Sequence, residues 1–203
     1  MYSLIGFEKI DFRDIEAFDK TTALIMGITA PAYILKTVDG GDSWKVVYEN
    51  KDTSMFLDAM EFWNEQSGIV IGDPIKGKMF IARTFDEGNT WQHIPAQNMP
   101  SVVQGEACFA SSGTNIRKLN KKEAVFVTGG IKSRMFIRDR IIEMPVEKPT
   151  KPIFGGPNLD VMYITSLVQG LSEADRATQP LAGGVFAITG LGVGGLDHVR
   201  FAG

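Results

Sequence analysis

The fold is decided by two copies of one octet, Thr37-Val38-Asp39-Gly40-Gly41-Asp42-Ser43-Trp44 and Thr84-Phe85-Asp86-Glu87-Gly88-Asn89-Thr90-Trp91. Their aspartates are 47 residues apart (86 minus 39). Self-similarity at this period is typical of propellers, solenoids and other arrays. The repeat therefore indicates the architecture before any functional site is considered.

Each octet lies between the third and fourth of four short apolar runs that turn residues separate. Four strands per period is the pattern of a propeller blade. We expect an all-β, single-domain propeller (1–203) of about four four-stranded antiparallel blades. Their predicted bounds are 11–53, 54–104, 105–147 and 148–203, with the N-terminal strand 2–7 completing the last blade. The alternative is half of an eight-bladed ring formed by two chains. Only Ser172–Ala177 predicts a helical turn.

Composition restricts the classes of partner. The chain has 203 residues, 22% charged residues and a net charge of -3, so no nucleic-acid partner is expected. No signal peptide and no membrane-spanning stretch is predicted, and we expect a cytoplasmic or recombinant protein. Cys108 is the only cysteine, which excludes an intrachain disulfide and indicates a small buried hydrophobe.

The octet, called an Asp-box, predicts a structural turn rather than a functional site. Its aspartate can accept backbone N–H bonds, its glycine adopts a positive φ, and its tryptophan packs between sheets. The residues given this structural role are Asp39, Gly41, Trp44, Asp86, Gly88 and Trp91.

The first part of the chain, from Gly6 to about Ile137, resembles the Asp-box (BNR) propellers related to the photosystem II stability and assembly factor. It is most similar to bacterial members described as oxidoreductase-like. Residues 11–18, 105–115 and the two Asp-boxes carry the resemblance. It implies a propeller that binds a partner, and no redox cofactor motif accompanies it.

From about Arg138 onward the sequence resembles the gluconolactonase family, which includes regucalcin, the senescence marker protein. The matching segments are 145–150, 154–160, 162–166, 179–186 and 190–203. The resemblance implies a six-bladed propeller that hydrolyses sugar lactones with a divalent metal. The family's Glu, Asn and Asp ligands come from earlier blades that have no match here, so no catalytic residue and no metal ligand is carried over.

Because two families meet near Arg138 inside one blade, we expect a recombined or designed hybrid scaffold without native catalysis. One alternative is a metal-dependent, lactonase-like hydrolase, and the other is a peptide- or protein-binding propeller of the assembly-factor type. We expect no cofactor beyond adventitious Ca²⁺. A homodimer is the alternative assembly, and the small-molecule or peptide ligand is unknown.

Charged residues on the predicted innermost strands are the candidate binding residues. Converging carboxylates could hold a hard cation or supply a general base, and a solvated channel mouth with ion pairs such as Arg13–Glu16 is the structural alternative. Neither His93 nor His198 is expected to be catalytic. The candidate residues are Arg13, Asp14, Glu16, Asp58, Glu61 and Glu106 on these strands, together with Asn115 and Arg117 in a loop.

Overall fold

A computed structural model describes residues 4–109 and 113–196. They fall into two compact units: residues up to Val103 with Gly113, and Gln104–Phe109 with the residues from Thr114 onward. Both units consist of antiparallel sheets, and the described residues contain one short α-helix. The expected all-β class with antiparallel sheets is therefore confirmed.

The first unit contains two four-stranded sheets with neighbouring strands paired in chain order. The first sheet is β1 (Phe12–Ala17), β2 (Ala23–Gly27), β3 (Ala32–Thr37) and β4 (Lys45–Asn50). The second sheet is β5 (Leu57–Phe62), β6 (Gly68–Ile75), β7 (Lys78–Thr84) and β8 (Gln92–His93), followed by a 3₁₀ turn at Ala96–Asn98.

One apolar core joins the two sheets of the first unit. Successive residues of a strand point to opposite faces, so one face of each sheet supplies the core. The core includes Leu24, Met26 and Ile34 from the first sheet and Met60 and Val70 from the second, all at most 1% exposed.

The second unit contains the third and fourth sheets. The third sheet is β10 (Ile116–Lys118), β11 (Ala124–Gly130), β12 (Arg134–Ile137) and β13 (Arg140–Glu143), with β9 (Glu106–Ala107) paired to β11. The fourth sheet is β14 (Pro149–Gly155), β15 (Val161–Ser166) and β16 (Val185–Ile188). A second apolar core joins these two sheets.

The helical turn predicted at Ser172–Ala177 is present as α1 (Glu173–Thr178). Ser172 Oγ accepts a hydrogen bond from the Asp175 N–H at 3.1 Å, and the Ser172 N–H donates to Asp175 Oδ2 at 3.1 Å. This capping box satisfies N–H groups that the helix itself leaves unpaired. No helix in the described residues is long and apolar enough to cross a bilayer.

Two predicted strands differ from the structure, and a third lies outside the described residues. Of the predicted closing strand 2–7, the described residues 4–7 form a turn, in which the Phe7 N–H donates to the Leu4 carbonyl at 2.9 Å. In the third sheet the first strand, for which the sequence predicts residues 106–110, shrinks to β9. The sequence predicts a polar insertion at residues 111–123, but β10 forms inside it because Ile116 and Leu119 are fully buried. The fourth predicted strand of the last blade, 199–202, lies outside the described residues.

Candidate functional site

Both Asp-boxes are turns that the aspartate organises. Asp39 Oδ1 accepts hydrogen bonds from the Ser43 N–H at 2.9 Å and from Thr37 Oγ1 at 2.7 Å. Asp39 Oδ2 accepts from Ser43 Oγ at 2.5 Å, and these bonds, that from the Ser43 hydroxyl above all, lower the pKa of Asp39 to about 2. The Gly41 N–H donates to Thr37 Oγ1 at 2.9 Å, with Gly41 at φ 97°. The acceptors of this carboxylate are thus used within the turn.

The second Asp-box repeats the same contacts. Asp86 accepts from the Thr90 N–H at 2.9 Å, from Thr90 Oγ1 at 2.7 Å and from Thr84 Oγ1 at 2.8 Å. The Gly88 N–H donates to Thr84 Oγ1 at 2.9 Å, and Gly88 has φ 75°. The two octets are one structural device used twice.

The two Asp-box tryptophans have different surroundings. Trp91 packs edge-to-face on Phe62, with ring centroids 5.9 Å apart and planes at 88°, and lies against the first unit's core. Trp44 Nε1 donates to the Gly41 carbonyl at 3.2 Å, and the ring borders a cavity of about 780 Å³ that Leu4 and Phe7 also line. The same sequence position is therefore a core anchor in one sheet and a cavity wall in the other.

The innermost strands of the first two sheets carry equivalent β-bulges. The strand pairing shifts by one residue at Arg13 in β1 and at Asp58 in β5. A Cβ on Gly72, opposite the second bulge, would lie 2.5 Å from the Phe56 carbonyl oxygen, so glycine permits the close approach of the two strands. Bulges redirect side chains and are frequent beside active sites.

Arg13 and Asp14 are used in local structural contacts. Arg13 forms a two-pronged ion pair with Asp11, at 2.7 Å from Nε to Oδ1 and 2.8 Å from Nη2 to Oδ2, whereas the sequence suggested a pair with Glu16. Asp14 Oδ1 accepts from the Ile15 N–H at 2.8 Å. Its Oδ2 accepts from the N–H of Met60 in β5 at 2.6 Å. Asp14 therefore ties the two innermost strands of the first unit together.

Asp58 is the exception among the candidate carboxylates. It is fully buried, and neither carboxylate oxygen has a hydrogen-bond partner among the described residues. Burial raises the pKa of Asp58 well above its ordinary value, and the charge of Asp73 raises it further. A buried polar group without a partner is costly and points to a functional role or to a water molecule.

The remaining candidates divide between the two units. Glu61 is buried on β5, and Glu16 is half-buried on β1. In the second unit Glu106 is buried in an ion pair with Arg134, at 2.8 Å from Nε and 2.6 Å from Nη2, and it also accepts from Thr128 Oγ1 at 2.5 Å. This carboxylate is engaged in a structural network.

Asn115 and Arg117 lie at the start of the third sheet. Asn115 is fully buried, and its side-chain amide has no partner among the described residues, whereas its carbonyl accepts from the Val127 N–H at 3.0 Å. Arg117 is half-buried on β10. Each unit thus contains one fully buried polar side chain that the described protein leaves without a partner.

No metal cluster accompanies these groups. Within residues 4–109 and 113–196, no group of three or more His, Cys, Asp and Glu side chains could hold a metal ion. His93 Nε2 lies 3.1 Å from Tyr48 Oη and the ring packs edge-to-face on Phe80, which is a structural environment. His198 lies outside the described residues.

Asp73 is not among the residues predicted from the sequence, because Asp73-Pro74 has the composition of a turn that follows a strand. In the structure β6 continues through Ile75, and the Asp73 N–H donates to the Phe56 carbonyl at 2.8 Å. This continuation brings the Asp73 charge close enough to Asp58 to affect its pKa. The signal available in the sequence was the pair of glycines, Gly27 and Gly72, that stand opposite the two bulges.

Parts of the chain are similar in sequence to curated regucalcins. No protein-family model matches the chain. Regucalcin from Xenopus laevis is 44% identical over 62 residues, which are 30% of this chain and 21% of that protein. Regucalcin from Sus scrofa is 44% identical over 173 residues, which are 82% of this chain and 50% of that protein. The chain therefore spans 21% to 50% of the length of these curated relatives.

One solved structure supports the fold. The calcium-binding protein regucalcin from Agrobacterium tumefaciens superimposes with a TM-score of 0.56 at 14% identity, over 91% of this chain and 62% of that chain. YCF48 bound to a D1 peptide gives a TM-score of 0.41 at 15% identity, over 77% of this chain and 62% of that chain. The first likeness supports a propeller-like fold. The alignment with the Sus scrofa protein also extends beyond the last third of the chain, where the motifs placed the resemblance.

Proposed function

We propose that this chain is a regucalcin-like propeller that hydrolyses sugar lactones, with Asp58 as the proton acceptor. The observation that carries the proposal is the fully buried Asp58 carboxylate, which lacks a protein partner at a bulge of an innermost strand. The sequence similarity to regucalcin and the resemblance of the C-terminal third to gluconolactonases supply the substrate class.

The chemistry follows from the environment of Asp58. A buried carboxylate without a protein partner is a binding position for water. Its raised pKa makes the ionised form of Asp58 a stronger base than an exposed aspartate, which favours proton abstraction by this group. The water oxygen attacks the lactone carbonyl carbon while Asp58 takes the water proton. The ring C–O bond then breaks, and Asp58 returns the proton to the departing ring oxygen, which yields the hydroxy acid.

No step is assigned to a metal, because the described donor set does not complete a metal site. Calcium binding is a separate proposal, supported by the description of the Agrobacterium tumefaciens relative as a calcium-binding protein. The test is thermal unfolding with and without millimolar CaCl₂. A rise in the midpoint that Asp58→Asn removes would assign the ion to this carboxylate, and an unchanged midpoint would contradict calcium binding.

The hydrolysis proposal is tested by following acid release from glucono-lactone at several pH values. We expect Asp58→Asn to lower kcat by roughly 10²-fold or more, the usual contribution of a positioned base. The matched control is Asp42→Asn, which removes the same charge from an exposed position in the first Asp-box. Turnover that survives in folded Asp58→Asn protein would contradict the role of Asp58.

A second candidate is the hybrid scaffold without native catalysis. It is favoured by the confinement of both Asp-boxes to the first unit and by regucalcin matches of 62 and 66 residues, about a third of the chain. For this candidate we expect no lactone turnover with Ca²⁺, Mn²⁺ or Zn²⁺ from protein that unfolds cooperatively. Turnover that depends on any residue of the chain would contradict it.

We further propose that two copies associate through the fourth sheet. Its face exposes Tyr163 (37%) and Val185 (65%), and nearby loops expose Leu181 (56%). Contiguous exposed apolar surface marks interaction sites. Light scattering should then give twice the 22.3 kDa chain mass, and Val185→Glu should lower it. Ile131→Glu, at a position 84% exposed in the bend between β11 and β12, is the control. A mass of one chain at all concentrations would contradict association.

A further inference from the structure

The end of the second sheet holds an arginine between two aromatic rings. The Arg83 Cζ atom lies 4.7 Å from the ring centroid of Trp63 and 4.8 Å from that of Phe85. Cations within about 6 Å of a ring centroid are attracted by the ring's electron-rich face. The two contacts fix the plane of the guanidinium group.

Strand geometry explains why these three residues meet. Arg83 and Phe85 are two residues apart at the end of β7, so their side chains leave the same face. Phe62, Gly68 and Thr84 are in register across β5, β6 and β7, which places Trp63, the residue after Phe62, at the same end of the sheet. We call Trp63, Arg83 and Phe85 the arginine clamp.

The clamp holds a cation that has no anionic partner. Within the described part of the chain, the Arg83 side chain forms no hydrogen bond and no ion pair, and its Nε atom is buried without an acceptor. Partial burial also lowers the pKa of Arg83. Arginine stays charged in proteins and carries five N–H donors in a planar fork. The donors at the tip are therefore available to an acceptor that the chain does not supply.

The internal repeat shows what kind of acceptor is missing. Lys36 precedes Thr37 in the first sheet as Arg83 precedes Thr84 in the second. Lys36 Nζ donates to the Glu87 carbonyl at 2.8 Å and to Asn89 Oδ1 at 3.2 Å. Both acceptors belong to the second Asp-box, and the sequence contains no third Asp-box to serve Arg83. The first sheet satisfies its cation with oxygen atoms, whereas the cation of the second sheet is left for a ligand.

We propose that the arginine clamp is a binding site for an oxyanion, either a carboxylate or a phosphate group of a ligand. The rings of Trp63 and Phe85 pack on the guanidinium group. The ligand oxygens would bind at its edge, where paired N–H donors match two oxygens. Phe85 is 56% exposed, which places the site at the surface. Trp63 follows Asp58 by five residues along β5, roughly 16 Å in an extended strand, so the clamp is separate from the proposed hydrolytic group.

The test is an NMR titration of ¹⁵N-labelled full-length protein, following the indole N–H of Trp63 and the Nε–H of Arg83. Sodium acetate and inorganic phosphate are the two probes, and sodium chloride at equal ionic strength corrects for screening. We expect a saturable shift with at least one probe. Arg83→Gln should abolish it, and the matched control Arg176→Gln, at an exposed position on α1, should keep it.

Variants of the clamp distinguish a built site from general attraction to positive charge. Arg83→Lys keeps the charge but loses the planar fork, and Trp63→Leu removes one ring, so each should weaken binding, for Trp63→Leu by roughly 2- to 30-fold. If only acetate saturates the site, the ligand group is a carboxylate. If only phosphate saturates it, the ligand group is a phosphate ester. If both do, the site recognises the oxyanion chemistry that the two share. No saturation with either probe, or an unchanged response in Arg83→Gln, would overturn the proposal.

Discussion

Replacing Arg134 by methionine should strongly destabilise the second unit. The Glu106 side chain is completely buried, and Arg134 donates two charge-assisted hydrogen bonds to it, at 2.8 Å from Nε and 2.6 Å from Nη2. The substitution keeps the length of the side chain but removes both hydrogen bonds and the opposite charge that Arg134 supplies to this buried carboxylate. Breaking a buried pair by removing one partner costs about 3–5 kcal/mol, because the remaining charge is uncompensated. We therefore expect a loss of about 3–5 kcal/mol in the free energy of unfolding.

The control is Arg138→Met, since Arg138 pairs with Glu123 at 3.0 Å, with both side chains about 40% exposed. Exposed pairs contribute about 0–1 kcal/mol, so the control should change little. The double variant Glu106→Leu with Arg134→Met should recover most of the lost stability, because no unpaired charge remains.

The assay is urea unfolding followed by circular dichroism. Tryptophan fluorescence does not report on the second unit, because all three tryptophans lie in the first. If Arg134→Met lowers the free energy of unfolding no more than Arg138→Met does, the prediction is wrong. It is also wrong if the double variant is as unstable as the single one, since the cost could then not come from the stranded carboxylate.

Three further outcomes are expected. The raised pKa of Asp58 means that the folded state binds the proton of this carboxyl group more tightly than the unfolded state does. The free energy of unfolding should therefore fall as pH rises from about 4 through the folded-state pKa. Asp58→Asn should remove this fall, which urea unfolding between about pH 4 and 8 would measure. Gly88→Ala should cost about 1–3 kcal/mol more than Gly41→Ala in thermal unfolding, because its Cβ would lie 2.9 Å from Leu24 whereas that of Gly41 has no contact closer than 3.9 Å. Cys108, 5% exposed, should react with a thiol reagent only when the protein unfolds.

The local chemistry of the Asp-box could be predicted from the sequence, because every group it uses lies within eight consecutive residues. The Asp39 and Asp86 turn bonds depend only on residues up to four positions away. The tryptophans show the limit of such reasoning. Trp91 meets Phe62, which is distant in sequence, whereas Trp44 meets a cavity, and no property of the octet separates the two outcomes.

The state of Asp58 could not be predicted, because a bulge breaks the alternation on which facing predictions rest. One extra residue moves the following side chains to the other face of the strand. Asp14 and Asp58 both belong to the innermost strands, yet one binds a backbone N–H of the next sheet and the other is buried without a partner. The arginine clamp could not be predicted for a related reason, because strand register and not sequence spacing brings Trp63 and Arg83 together.

The comparison of equivalent positions indicates where function should be sought. At the bulge, the first sheet has Arg13 paired with Asp11, whereas the second has Asp58 without a partner. At the end of the third strand, Lys36 binds protein oxygens, whereas Arg83 binds none. The backbone repeats in both sheets, so the fold itself does not force a charge to remain unsatisfied. Ionisable side chains that lack a partner in only one copy of a repeat are better explained by ligand binding than by folding. Both such side chains, Asp58 and Arg83, lie in the second sheet, so we expect the functional site there.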